Sequence, residues 1–440
     1  MAQLIITQDA TLCNYLEAFH PKFSAPQWKY FVTVLMGLLH CDGNKTLSGL
    51  LRQVAVVVTM SGLSRFLVSP AWSVAALEQV RYREFQAQVQ PLVVQAHRNQ
   101  KSRRARRRGR PQPTVVTGYL IMDDSTHAKR YYQKGASGLG RHFSSTERKP
   151  VNGHSLFQAL YVVEDHQFPL TPRMYCQKSV CEQNHQPFLS KVDLAVQTVE
   201  TFEPLPETHT HVLVDSWYLN KRLWKAARKR HWDLTGGLKS NRPIRLADSQ
   251  GIITWPTVSE YAATLDAEDF QPVLWPNQTG GQTVYAHLLR TRVKKLGACQ
   301  VLIIREKQND PNSSTRFFAT TRLMDNLEQV VTATAKRWTV ETLFADFKEL
   351  MGSDQYQLHS AEAIRRFWAL GLCLYQYLDS LRHRLQRLEN QHLSLGEARA
   401  WVIERHEDRQ LEWICHQAKL GVKPAFIKYA LRPALPLSNC

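Results

Sequence analysis

Between residues 115 and 240 the chain alternates apolar runs in an order that few folds accept. VTGYLIMDD (116–124) reads as a strand closed by acids, and SLFQALYVVED (155–165) and QFPLTPRMY (167–175) read as two more strands joined in a hairpin. PFLSKVDLAVQTVETF (187–202) has helical periodicity, and HVLVD (211–215) is a short apolar strand. LNKRLWKAARKR (219–230) is a basic helix, followed by a strand in WDLTGGLK (232–239). Three leading strands and then alternating helices and strands predict a mixed α/β sheet with helices on both faces.

The acids fall at strand ends. Strand one closes on Asp123-Asp124-Ser125-Thr126, and strand four on Asp215-Ser216-Trp217-Tyr218. Open α/β sheets place their sites at the carboxyl ends of strands. A single strand-end aspartate is more often a turn or helix cap, so a third acid is needed to narrow the reading. RWTVETLFADFKELMG (337–352) supplies it. Its Arg337, Glu341 and Lys348 stand at offsets 0, 4 and 11, which fall within roughly 40° of one another on a helix turning about 100° per residue. Phe344 shares that face and Asp346 does not. Alone, the stripe would be a solvated ladder of ion pairs. With two strand-end aspartates upstream it is better read as facing inward.

Two aspartates and a glutamate are a sufficient protein shell for paired Mg²⁺, an ion that takes oxygen ligands and keeps several waters. Two such ions about 3.5–4 Å apart stabilise the entering and leaving oxygens of an in-line displacement at phosphorus. The formal charge of +18 and pI near 9.6 fit a polyanionic partner, nucleic acid or an acidic membrane surface. The sequence has no apolar run of about 18 residues and no signal-peptide layout at MAQLIITQDA. Nucleic acid is therefore the expected partner and a membrane is not. Eight scattered cysteines without a CxxC pair read as free thiols in an intracellular chain.

Around the sheet, residues 1–98 read as a helical DNA-binding domain, with helices at 26–40, 46–58, 60–68 and 73–97. The second and third of these form either a helix-turn-helix with Ser61, Ser64 and Arg65 toward DNA or part of a plain bundle. Residues 99–114 read as a basic linker around KSRRARRRGRPQP, with Arg103, Arg104, Arg106, Arg107, Arg108 and Arg110 as phosphate contacts. Its Arg108-Gly109-Arg110-Pro111 resembles the core of an AT-hook, although general phosphate attraction explains it as well. Lys221, Arg222, Lys225, Arg228, Lys229 and Arg230 either track DNA or form a solvated helix face. Gly236-Gly237 with Lys239, Asn241 and Arg242 marks a strand end, with a DNA-contacting loop or a plain turn. The core is expected over 115–240 and 331–388, split by a β-rich insertion at 241–330 and followed by a helical tail over 389–440.

Taken together, these blocks resemble the DDE transposases of bacterial insertion sequences, which have an RNase H-like core. They are most similar to the group whose catalytic glutamate lies in a Tyr-x2-Arg-x3-Glu-x6-Lys signature. Arg337, Glu341 and Lys348 keep that spacing, while Thr334 stands in the tyrosine's place. GYLIMDDST resembles the first aspartate block and VLVDSW the second, so the likeness spans about 115–385. Consecutive strand residues face opposite sides, so only one of Asp123 and Asp124 can readily join Asp215. The resemblance favours Asp124, which directly precedes the Ser-Thr pair, with Asp123 as the alternative.

The resemblance implies that Asp124, Asp215 and Glu341 hold two Mg²⁺ ions, for which Mn²⁺ can substitute, and that Arg337 and Lys348 contact phosphates near the cut. It implies double-stranded DNA as partner, with binding of the element's inverted-repeat ends, Mg-dependent cleavage, joining of the 3′-OH ends to target DNA, and a homodimer on DNA in the bacterial cytoplasm and nucleoid. In this group a flipped base can stack on a tryptophan, for which Trp255 and Trp275 are candidates. The competing readings are an RNase H-like metal-dependent nuclease and a transposase-derived DNA-binding regulator.

Overall fold

The computed structural model describes residues 10–55, 58–69, 71–106, 116–129, 136–144, 147–183, 185–247, 249–276, 280–308 and 315–432. The chain opens with five helices: α1 (Ala10–Glu17), α2 (Ala25–His40), α3 (Leu47–Leu51), α4 (Met60–Val68) and α5 (Val74–Arg106). Side-chain oxygens of Thr46 and Thr59 accept the Gly49 and Gly62 amides and so start α3 and α4. The helix expected over 46–58 is reduced to the short α3. Ser61, Ser64 and Arg65 are exposed along α4. The backbone of α5 continues to Arg106, through the first part of the basic stretch.

The sheet follows, with β1 (Val116–Ala128), β2 (Gly140–Ser144), β3 (Lys149–Val163), β4 (His166–Pro169) and β5 (Arg173–Tyr175). Next come α6 (Lys178–Gln183), α7 (Lys191–Thr201), β6 (Thr208–Val214), α8 (Lys221–Lys229) and β7 (Asp233–Gly237). A Ser190–Asp193 capping box fixes the start of α7, and Asn220 caps α8 by accepting the amides of Arg222 and Leu223. β1 pairs antiparallel with β3 and parallel with β6, and β6 pairs parallel with β7. This is the predicted mixed α/β sheet, with the architecture of an RNase H-like core. The β2 strand is an addition, forming a hairpin with the start of β3.

The stretch expected as an insertion contains β8 (Leu246–Ala247), β9 (Ile253–Thr254), α9 (Val258–Ala263), β10 (Gln271–Trp275), β11 (Gln282–Val293), β12 (Gly297–Arg305) and β13 (Arg316–Thr320). It does not stand apart from the core. β13 pairs antiparallel with β7, so β10 to β13 continue the central sheet in the order β10-β11-β12-β13-β7-β6-β1-β3-β2. The chain then runs through α10 (Leu327–Ala335), α11 (Thr339–Glu349), α12 (Ala361–Glu389), α13 (Leu395–Lys419) and α14 (Pro424–Ala430).

Two apolar clusters divide the core by sheet face. Ile121 of β1 and Leu213 of β6 pack with Leu343 and Phe347 of α11, with α12, and with the N-terminal helices. Leu120 and Met122 of β1 and Val212 and Val214 of β6 point the other way, toward α7, α8 and the middle of α5. The period-2 alternation of a strand produces this split, and it decides which acids can meet. Among the described residues no helix is long and apolar enough to cross a membrane.

Candidate active site

Met122 and Val214 are the last residues paired between β1 and β6, so Asp123 and Asp215 emerge side by side at the carboxyl ends of adjacent parallel strands. Asp123 shares parity with Ile121, and Asp215 with Leu213, so both lie on the α11 face. Arg337 joins them to the glutamate: its Nη1 donates to Asp123 Oδ2 at 3.1 Å and lies 3.5 Å from Glu341 Oε1. Arg337 sits not in α11 itself but in a 3-10 turn, Lys336–Trp338, that links α10 to α11. The ion pair with Glu341 survives that departure from ideal α geometry. Phe344 is buried, so the stripe faces inward as expected.

Asp124 has the parity of Leu120 and Met122 and belongs to the opposite face. Tyr218 donates its hydroxyl to Asp124 Oδ1 at 2.8 Å, and Lys191 of α7 pairs with Oδ2. The resemblance favours Asp124, but in the structure it is Asp123 that shares Arg337 with Glu341, while Asp124 is paired with a lysine and a tyrosine behind the sheet. Lys191 and Tyr218 were not singled out from the sequence. The Ser190–Asp193 capping motif could have placed Lys191 in a helix's first turn but not against β1.

Burial, followed by the neighbouring Asp215 carboxylate, pushes the Asp123 pKa up to about 7 against the pull of Arg337, and Glu341 adds to the rise. Burial also raises Asp215, although its Oδ1 accepts the Trp217 and Tyr218 amides at 2.9 and 3.3 Å. Those two hydrogen bonds fix the carboxylate's orientation. Lys348 is drawn below its ordinary range by burial, with Asp354 and Glu341 opposing. Thr334 is buried in α10 and donates to Val330 O at 2.6 Å, so it projects no ring toward the acids. Asp346 leaves the stripe; burial raises its pKa to about 6 despite Arg382 of α12.

The donor set suits a hard divalent cation. It consists of carboxylates alone, and the mutual repulsion seen in the pKa of Asp123 is one that bound positive charge would relieve. Among the described residues, the group whose ligand atoms all lie within 4.8 Å of one another is a different one, His166, Asp379 and His383. There Arg382 already donates to Asp379 Oδ1 at 2.6 Å, and the two imidazoles stack with centroids 3.7 Å apart. Stacked rings direct their in-plane lone pairs side by side rather than toward one point, so we read this cluster as a structural polar network.

Two large aromatics flank the acids and are open to solvent: Trp217 is 63% exposed and Trp338 61% exposed. Neither was picked out from the sequence. Of the two that were, Trp255 is exposed and Trp275 packs against Phe318 under Arg316. Lys221, Arg222, Lys225, Arg228 and Lys229 lie on the exposed face of α8, where Arg222 pairs with Asp193. Lys239 is exposed beyond β7, and Arg242 is half-buried beside it. Arg103, Arg104 and Arg106 fall on the α5 backbone, while Arg107, Arg108 and Arg110, and with them the AT-hook-like core, lie outside the described residues. The described cysteines are free thiols.

Comparison with known proteins gives one family. Residues 190–377, which include Asp215, Arg337, Glu341 and Lys348, match the family model described as Transposase DDE domain. No curated protein matches the chain.

Proposed function

We propose that this chain, whose residues 190–377 match the family model described as Transposase DDE domain, binds the inverted-repeat ends of an insertion sequence, cleaves them, and joins the freed 3′-OH ends to target DNA. The observation that carries this reading is the meeting of Asp123, Asp215 and Glu341 around Arg337 at the ends of two parallel strands. Those three carboxylates would hold Mg²⁺, or Mn²⁺ in its place, and the bound ions would stabilise the entering and leaving oxygens of the displacement at phosphorus.

The chain's own residues do the positioning. Asp215 is held by two backbone amides, so its free oxygen keeps one direction. Arg337 keeps Asp123 and Glu341 from separating and presents remaining N–H groups to a phosphate, for which a planar guanidinium is well matched. Lys348, two turns beyond Glu341 on the same stripe, adds a second cation beside the substrate. The Lys191–Asp124–Tyr218 group braces the end of β1 from behind. The exposed face of α8 and the N-terminal helices would take the flanking duplex, and cutting paired ends calls for two copies of the chain on the DNA.

The test uses the full chain, Mg²⁺ and a duplex carrying the repeats that flank the gene. The expected result is end cleavage and strand transfer, both lost in Glu341→Gln. Activity that survives this change would remove Glu341 from the centre. Nicking of any DNA without joining would favour a metal-dependent nuclease, and binding without cleavage a DNA-binding regulator.

A further inference from the structure

The loop after β7 and the turn between β11 and β12 enclose an open hollow of about 420 Å³ lined by Lys239, Asn241, Arg242, Pro243, Lys294 and Lys295. We propose that this hollow is a phosphate subsite that seats the backbone of a DNA strand next to the scissile bond. The inference rests on the reading of DNA as substrate.

The first argument is charge. Four of the six lining residues are cationic and none is acidic. Lys239, Lys294 and Lys295 are exposed, and among the described residues none of these lysines has a carboxylate within ion-pair distance. Crowding like charges is unfavourable unless a polyanion compensates.

The second argument is construction. The Arg242 amide donates to Lys239 O at 3.0 Å, and the Lys294 amide donates to Pro243 O at 2.9 Å. Ile244 and Val293 are bridged between them and fully buried. The cations are thus carried on two turns laced together by backbone hydrogen bonds over an apolar floor. A site built this way loses little order when it binds.

The third argument is position. Asp215 holds the amides of Trp217 and Tyr218, and the neighbouring Ser216 backbone lies so close to Gly237 that a Cβ there would meet Ser216 N at 2.9 Å. Two residues on, Lys239 Nζ stands 5.5 Å from the centre of the exposed Trp217 ring. Arg242 Nη2 reaches back to Leu219 O at 3.4 Å. The hollow therefore shares a wall with the segment that carries Asp215. A strand lying over the acids has a short path across Trp217 into it, and the combination of aromatic face and basic groove is how unpaired nucleic-acid strands are held.

The test compares the wild-type chain with Lys294→Ala/Lys295→Ala, a double change in an exposed turn. DNA affinity is measured in EDTA, to prevent cleavage, across a potassium chloride series. The expected result is at least a 10-fold weaker Kd at 0.1 M salt. The slope of log K against log salt should flatten by about 1.8, roughly 0.9 for each phosphate released. Ethylation interference on the bound duplex should lose its signal at phosphates within a few nucleotides of the cut and keep it elsewhere. An unchanged Kd and slope would overturn the proposal. So would loss of interference only far from the cut, or inorganic phosphate displaced by the variant changes while DNA binding is untouched, which would mark a free-anion pocket. If the wild-type chain binds no DNA, the underlying reading fails; if it cleaves and the variant matches it throughout, this inference alone fails.

Discussion

At the scale of single residues, the fold separates two adjacent aspartates that the sequence presents as equals. Asp123 faces Glu341 and Arg337, and Asp124 faces Lys191 and Tyr218. Their substitution should therefore fail in different ways. Asp123→Asn keeps the shape but removes a charge from the acidic centre, and single-turnover cleavage should fall by about 10³-fold or more, with the thermal midpoint nearly unchanged or raised. Asp124→Asn leaves Lys191 without its carboxylate in a part-buried position, so stability should fall by about 1–3 kcal/mol. Cleavage by the variant's folded fraction should then drop less than about 10-fold. The two readouts, cleavage and melting, would exchange places if Asp124 were the true ligand. The sequence could not decide this, and the reason is physical. Leu120, Ile121 and Met122 are all buried because helices cover both faces of the sheet, so the apolar/polar alternation that normally reports a strand's parity is missing.

At the scale of elements, much more was legible. The order of strands and helices over 116–239 follows from runs whose period or length is unambiguous, and the caps at Ser190 and Asn220 mark the helix starts locally. What was not legible depends on pairing between distant residues. β2, with the polar sequence GRHFS, acquires its strand character only from β3, and β13 reaches β7 across about eighty residues of chain. The same dependence governs α11. Its charged stripe is held toward the acids because Val340, Leu343 and Phe347 are buried against β1, β6 and α12. Leu343 is fully buried, and Leu343→Ala should cost about 2–5 kcal/mol. Chemical denaturation should register this as an earlier transition, accompanied by weaker cleavage as Glu341 loses its fixed position. A cost under about 1 kcal/mol would mean that α11 is not anchored through this side chain.

At the scale of the whole molecule, one core links the N-terminal helices to α11 and α12, so the acidic centre is supported from both ends of the chain. That core is bordered by histidines kept neutral by burial. Burial lowers His142, His154, His166 and His383 to about 4, and His40 and His211 to about 3. In the unfolded chain the same groups titrate near 6.5. As pH falls through the interval between about 6.5 and 4, the unfolded state takes up more protons, and stability declines. Three carboxyls act in the opposite sense. Asp123, raised to about 7, Asp346, raised to about 6, and Asp215, raised by burial, bind protons more tightly when folded, so their contribution is lost as pH rises and regained as it falls. The six histidines outnumber these three carboxyls, and each pKa unit is worth about 1.4 kcal/mol, so the histidines decide the sign. The thermal midpoint should fall by at least about 5 °C between pH 7.5 and pH 5. His154 offers the local check, because both of its ring nitrogens are engaged, with Ser137 O at 3.1 Å and the Tyr356 hydroxyl at 2.8 Å. His154→Gln, which retains an amide donor and a carbonyl acceptor, should make that decline shallower even if it lowers the midpoint at pH 7.5. An unchanged pH slope in this variant would mean that the acid sensitivity arises elsewhere than in the core joining β3 to α12.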